Sequence, residues 1–307
     1  MKKILITGAL GFIGRNCAIY FAKKGYEVVG GDCISGKIEG IEVKKVNLIE
    51  DDLEQWFAEE KPDAILHCAG AADVGASIKN PHNDFERNTC IVHKILFAMK
   101  KLDMEKCRFI YLSSAAVYGQ PEKLPITEEG KLAPLSPYAL HKKLGEDICQ
   151  FFIENYYFDI KIVRIFSAFG PGLRKQIFWD MNYKLKETGG LDLWGTGNES
   201  RDYIYIDDIA QALYLITTVK KQEDYIYNLA NGKEIFIKDV AKTFVENEGV
   251  GIEKIRFNGK IREGDPVNWR ADITKLKKIG YKQTVDFAEG VKRYVEWCNN
   301  EAKLKSM

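Results

Sequence analysis

Apolar and polar positions change their period along this chain, and the changes mark out its elements. Ile4, Leu5 and Ile6 form an unbroken apolar run at the start, the pattern of one buried strand in a parallel sheet. Ile13, Cys17, Tyr20 and Phe21 then recur at helical spacing. Val28-Val29-Gly30-Gly31-Asp32 is a second short run, and Ile41 to Val46 reads as a further strand. Glu50 to Glu60 reads as a helix stopped by Pro62. Ala64-Ile65-Leu66-His67 is a strand that empties into Cys68-Ala69-Gly70-Ala71-Ala72. A long helix is predicted over Pro81 to Lys101, with Ile91, Ile95, Ala98 and Met99 on one face and Asn88 near its start. Arg108 to Leu112 is a strand ending in Ser113-Ser114, and Gln120 to Pro137 is a proline-bearing loop. Leu144, Ile148, Phe151 and Phe152 mark the next helix, and Ile160 to Phe166 the next strand.

Strand and helix signals that alternate in this way predict an α/β fold built on a doubly wound parallel sheet. Beyond Ser167 the texture changes. Gly170-Pro171-Gly172 is a break, and the elements that follow are shorter, with glycines at 189, 190, 195 and 197. Asp207 to Val219 reads as a helix and Tyr225 to Leu229 as a strand that rejoins the main sheet. A terminal amphipathic helix carries Phe287, Val291, Tyr294, Val295 and Cys298. The expected division is a dinucleotide-binding part over 1–166, to which about 205–230 returns, and a smaller substrate-binding region over 167–307.

Composition narrows the function. With 307 residues, 46% of them apolar, the chain is one large or two intimate globular domains. Forty-five basic and 44 acidic residues leave a net charge of +1 with no polybasic tract, which argues against a nucleic-acid or membrane surface. Seven cysteines without a CxxC pair read as reduced thiols of a cytoplasmic protein, and no metal is expected. The start imitates a signal peptide, but Gly8, Gly11, Gly14 and Arg15 break the run. No stretch is long and apolar enough for a membrane span.

Those glycines are the first candidate chemistry. Gly8, Gly11 and Gly14 follow a strand and open a helix. One permits the tight turn, one removes a Cβ from the path of a diphosphate, and one lets helix and strand pack closely. The helix N-terminus then turns its free N–H groups to the phosphates. Asp32, at the end of the second strand, can accept from both adenosine ribose hydroxyls and repels a 2′-phosphate, so the expected cofactor is NAD. Small residues around Ala69 leave room for the cofactor at another strand end.

Tyr138 and Lys142 lie four apart at the start of a helix opened by Ser136-Pro137, so they share a face. A tyrosine serves as a base near neutrality only if its phenol, ordinarily near ~10, is acidified, which takes ~4 kcal/mol of differential stabilisation for ~3 pH units. The Lys142 ammonium, aided by the positive nicotinamide, is expected to do this. Ser114 ends a strand at the edge where ligands bind in such sheets, and its hydroxyl can hold a reacting oxygen.

TGxxGFIG at 7–14, Asp32, Ser113-Ser114-Ala115-Ala116-Val117-Tyr118-Gly119, Tyr138-Ala-Leu-His-Lys142 and Gly170-Pro171-Gly172 together resemble the extended short-chain dehydrogenase/reductase family. The similarity is greatest to its NAD-dependent sugar-nucleotide epimerase/dehydratase group. It continues through Arg201 to Asp208, Arg262-Glu263-Gly264-Asp265 and Ala271-Asp272, in the manner of UDP-galactose 4-epimerases. The resemblance implies a Rossmann-type sheet with Tyr138 as base, Lys142 as its partner and a ribose ligand, and Ser114 as holder of the sugar oxygen. It further implies that Gly8, Gly11, Phe12, Ile13, Gly14, Asp32, Asn47, Leu48, Ala69 and Asn88 contact NAD. Arg201 and Arg262 would clamp the substrate diphosphate, Asp265 would lie near the nucleotide ribose, and Ser167 would contact substrate. Two positions depart from the pattern: Asn47 stands where the family often has Asp, and Ser167 where the epimerases usually have Asn.

The reaction implied is 4-epimerisation of a nucleotide-diphosphate hexose by transient oxidation at C4. The alternatives are a 4-dehydrogenase or 4-ketoreductase on the same scaffold, and a non-catalytic NAD-binding regulator. A 4,6-dehydratase is not expected, since Ala115 and Ala116 stand where dehydrating relatives carry acids. Trp269, seven beyond Arg262, would wall the sugar pocket and favour a plain hexose over an N-acetylhexosamine. Family relatives pair the helices matching those near 82–101 and 138–156 across a two-fold axis. Phe151, Phe152, Tyr156, Tyr157 and Phe158 add aromatic surface there, so a homodimer is expected.

Overall fold

The computed structural model describes residues 1–220, 224–260 and 266–306. The strands, in chain order, are β1 (Lys3–Thr7), β2 (Glu27–Asp32), β3 (Gly36–Ile38), β4 (Ile41–Lys45), β5 (Ala64–His67), β6 (Arg108–Ser114), β7 (Ile160–Ile165), β8 (Ser167–Phe169), β9 (Leu191–Leu193), β10 (Ser200–Arg201), β11 (Tyr203–Tyr205) and β12 (Ile226–Leu229). The helices the site depends on are α1 (Phe12–Lys23), α2 (Leu53–Glu60), α3 (Val74–Lys79), α4 (Pro81–Phe85), α5 (Ile91–Lys101) and α6 (Pro137–Tyr156). Beyond them, α7 (Gln176–Thr188) and α8 (Ile206–Thr218) lead towards the C-terminal part.

Among the described residues the main sheet has eight strands in the order β12-β7-β6-β5-β1-β2-β4-β3. All neighbours are parallel except β3, which folds back antiparallel on β4. The sheet is the doubly wound parallel arrangement expected from the alternation of elements. Its order reverses between β1 and β5, so the crevice at their C-terminal ends is the place where such sheets take ligands. The inner strands are sheathed on both faces: every residue of β5 and β7 is buried. The later strands pair outside this sheet, β8 with β11 and β10 with Ile235–Phe236.

The sequence pattern and the structure part company in four places. β3 and the short helix α3 carry no periodic signal in the sequence. Glu50 to Glu60 is helical only from Leu53, because the Asp52 side chain caps it by accepting from the amides of Glu54 and Gln55. The long helix from Pro81 is interrupted by a π-turn over Glu86–Cys90, which contains Asn88. Asn88 is 1% exposed rather than solvated.

Candidate active site

The turn after β1 needs its glycines. Gly8 sits at φ +64°, and a Cβ on it would stand 2.6 Å from the amide nitrogen of Ala69. A Cβ on Gly14 would come within 2.2 Å of the Gly8 carbonyl oxygen, so helix and turn touch backbone to backbone. Gly11 is the N-cap of α1, and no side chain caps the helix. Its first-turn N–H groups therefore stay available to an anion. Phe12 and Ile13 open the helix, half-buried, with the Gly170-Pro171-Gly172 loop against the Phe12 ring.

Asp32 ends β2 and is turned back to this turn: one carboxylate oxygen accepts from the Leu10 amide at 2.9 Å, the other from the Cys33 amide at 2.8 Å. Asn47 is tied into its own loop, with its amide nitrogen donating to Glu50 at 2.8 Å and its oxygen accepting from the Ile49 amide at 3.1 Å. Leu48 beside it is buried in the core between α2, α5 and the sheet. Thr7 and His67 lock the ends of β1 and β5 together, Oγ1 to Nδ1 at 2.7 Å, and Thr7 Oγ1 also accepts from the Ala69 amide. Burial, aided by the nearby Lys142 charge, pushes the His67 pKa down to about 3, so this imidazole stays neutral.

Asn88 shows whether a dinucleotide fits. Its amide nitrogen donates to the Ala71 carbonyl at 2.9 Å and to Asp84 Oδ1 at 3.0 Å. Its oxygen is buried with no partner among the described residues. A Cβ on Gly70 would lie 2.9 Å from that oxygen and 3.6 Å from Lys142 Nζ, so both groups face the space left free by the bare Gly70 Cα. A buried, unpaired acceptor beside an ammonium calls for a ligand hydroxyl. These residues fit the expected cofactor.

Helix α6 opens as the sequence predicts: Ser136 accepts from the Ala139 amide and Pro137 occupies the first turn. Tyr138 and Lys142 both face inward and are buried. Ser77 of α3, which sequence reasoning missed, accepts from the Tyr138 amide at 3.1 Å. Ser114 ends β6 and accepts from the Ala116 amide. Burial pushes the Tyr138 phenol up to about 12, against the pull of the neighbouring Ser114 hydroxyl. Lys142 is itself pushed down to about 8 by burial and donates to the Leu112 carbonyl at 3.0 Å. Burial works against the charged form of both groups.

Behind this face lies a second group of charges that the sequence pattern did not reveal. Arg164 of β7 and Glu146 of α6 are 2% and 4% exposed, and they pair through two nitrogens, Nη2 to Oε2 at 2.7 Å and Nε to Oε1 at 3.0 Å. Ser113 donates to Glu146, and Arg164 Nη1 donates to the Tyr118 hydroxyl and the Glu128 carbonyl. Glu146 lies one turn beyond Lys142, a spacing that could have flagged it.

On the substrate side, Arg201 follows Ser200, and its guanidinium lies 5.4 Å above the Trp269 ring. It donates to the carbonyls of Ser200 and Val267, and no carboxylate among the described residues pairs with it. Trp269 is held from two sides: its indole N–H donates to the Gly119 carbonyl at 3.2 Å and its ring meets Phe166 edge-on. Ser167, half-buried at the start of β8, donates its amide to the Asp202 carbonyl. Arg262 and Asp265 lie outside the described residues. Glycine turn, Asp32, Asn88, Ser114, Tyr138 and Lys142 thus share one edge of the sheet.

Comparison with known proteins agrees with this picture. The profile of the NAD dependent epimerase/dehydratase family matches residues 4–230. A putative UDP-glucose 4-epimerase of Methanocaldococcus jannaschii is 30% identical, over 97% of this chain and 98% of its own. The solved UDP-glucose 4-epimerase of Thermotoga maritima, bound to UDP-glucose, superposes with a TM-score of 0.88 at 26% identity, over 98% of this chain and 99% of its own. The UDP-N-acetylglucosamine 4-epimerase of Methanobrevibacter ruminantium, in complex with UDP-N-acetylmuramic acid, gives 0.86 at 28% identity, over 98% and 99%.

Proposed function

The chain belongs to the NAD dependent epimerase/dehydratase family, and on that footing we propose that it is an NAD-dependent 4-epimerase of nucleotide-diphosphate sugars. The observation that carries the reading is the buried Tyr138 phenol, sharing a helix face with Lys142 beside the unpaired Asn88 oxygen, at the sheet edge where Ser114 ends β6. Bound NAD supplies the acceptor and donor of hydride at the sugar's C4. The chain's own residues do the rest. Ser114 holds the O4 hydroxyl, and Tyr138 takes its proton and later returns it. Lys142 and Asn88 hold the cofactor's sugar, and Asp32 its adenosine end. Arg201, together with Arg262, grips the diphosphate and keeps the keto sugar from leaving while it turns over. Trp269, pinned against Gly119 and stacked under Arg201, walls the sugar side.

The relatives are named for UDP-glucose and for UDP-N-acetylglucosamine, so a uridine diphosphate sugar is the first substrate to try. Purified protein is incubated with a panel of such sugars, the anomeric and H4 signals are followed by NMR, and absorbance is read in the NADH band. Epimer formed without added cofactor is the expected result. Keto sugar in proportion to added NAD would show a dehydrogenase, reduction driven by added NADH a ketoreductase, and silence with every sugar a binding protein.

The enzyme acts as a homodimer joined through α4, α5 and α6. These helices leave an apolar groove of about 620 Å³ lined by Phe85, His93, Phe97, Ile148 and Phe151. Phe97 and Phe151 are 46% and 52% exposed, more than isolated apolar residues at a solvated face need. Of the aromatic cluster expected there, Phe152 and Phe158 instead fill the chain's own core, which leaves Phe151 and Tyr157 outward. Light scattering at micromolar concentration should give twice the 35.0 kDa chain mass; the monomer mass would refute the pairing. Among the described residues no helix is long and apolar enough to cross a membrane. The seven free thiols suit a reducing compartment, and we place the enzyme in the cytoplasm.

A further inference from the structure

Helix α4 carries a buried carboxylate that the reaction does not use. Asp84 is 3% exposed, and a carboxylate taken out of water is costly unless it is paired and hydrogen-bonded. Its two oxygens have separate partners. Oδ2 meets Nδ1 of His141, the residue before Lys142, at 2.6 Å. Oδ1 accepts from the Asn88 amide at 3.0 Å, and the second hydrogen of that amide goes to the Ala71 carbonyl. With both N–H directions taken, the Asn88 carboxamide has one orientation, and its oxygen faces Gly70 and Lys142. A further tie joins the same elements: Thr89 donates to the His141 carbonyl at 3.0 Å. Phe85 covers the imidazole edge-on at 5.3 Å.

We propose that Asp84 and His141 are a positioning pair for the cofactor: through them helix α6, which carries Tyr138 and Lys142, fixes the direction in which the Asn88 oxygen is presented. This rests on the reading of the Gly70 recess as part of the NAD site. Packing alone does not call for such a pair, since apolar side chains of equal volume would fill the space without burying charge. Holding an amide in one of its two flip states does call for an acceptor at this point.

The test compares NAD release from the loaded protein, with steady-state kinetics alongside. Asp84→Leu removes the acceptor and keeps the branching of the side chain. It should release NAD about 10-fold faster than wild type and lower kcat, with the KM for nucleotide sugar within about twofold. Asp84→Asn should recover most of the loss, because its amide oxygen can accept from Asn88 while its nitrogen donates to a neutral His141. In an Asn88→Ala background Asp84→Leu should add nothing to the release rate, since the pair acts through Asn88. Should Asp84→Leu fail to fold, Asp84→Asn combined with His141→Leu leaves no buried charge, and it should also release NAD faster. Release at the wild-type rate from Asp84→Leu or, where that fails to fold, from the double variant, or a further increase in the Asn88→Ala background, would overturn the pair's role. Wild type that carries no NAD would overturn the cofactor reading and the proposal with it; loaded wild type with unaltered variants overturns the pair alone.

Discussion

Tyr138→Phe is expected to lower kcat by about 10²- to 10⁴-fold while NAD and nucleotide-sugar binding stay within about twofold. The ring stays in its packed position and only the oxygen is lost, so the change isolates proton transfer from shape. The size of the loss follows from where the phenol sits. Burial holds its pKa up at about 12, and the neighbouring Ser114 hydroxyl pulls the other way. Burial works against the phenolate, and the Lys142 ammonium on the same helix face and the positive ring of bound NAD would both favour it. The check is kcat from the NMR assay, with nucleotide released on denaturation as the control for binding. Residual turnover within about tenfold of wild type would mean that another group takes the proton.

Glu146→Ala is expected to destabilise the fold by about 3–5 kcal/mol, the loss typical when one partner of a buried ion pair is removed. The Arg164 guanidinium would remain 2% exposed, with its carboxylate gone and only the Tyr118 hydroxyl and the Glu128 carbonyl as partners. Glu146→Leu with Arg164→Met removes both charges together and should cost far less, or nothing. Urea unfolding of the three proteins distinguishes the cases. Equal losses in single and double variants would show that packing volume, not uncompensated charge, sets the cost. Ser113, which donates to Glu146, neighbours Ser114, and Glu146 is one turn from Lys142. The single variant should therefore disturb the site as well as the fold.

Some of this was legible in the sequence because its cause is local. The strand, glycine turn and helix at the start follow from an apolar run and from glycines at positions where a Cβ would strike backbone. The opening of α6 follows from a Ser cap and a first-turn proline. What escaped has its cause elsewhere in the chain. β3 spans three residues and exists because β4 pairs with it. The π-turn at Glu86–Cys90 has no local signature, and Asn88 lies buried within it. Lys161 and Arg164 interrupt the apolar pattern of β7 and look outward-facing, yet both are buried because α6 and neighbouring loops bring partners to them. Spacing places a lysine near the Tyr138 phenol, but only the packed protein shows how little water either group retains.

The position of β12 has a consequence for how the chain is made. Its Ile226–Leu229 backbone satisfies the outer edge of β7, a buried strand that would otherwise offer its hydrogen-bonding groups to any passing extended segment. Residues 166–225 must be synthesised before that cover exists. While it grows on the ribosome, the nascent sheet therefore carries an open, sticky margin for the whole time the intervening segment is being translated. A slow stretch of codons in that interval would prolong the exposure and favour association between neighbouring nascent chains, whereas a chaperone bound at β7 would be displaced when β12 emerges and docks.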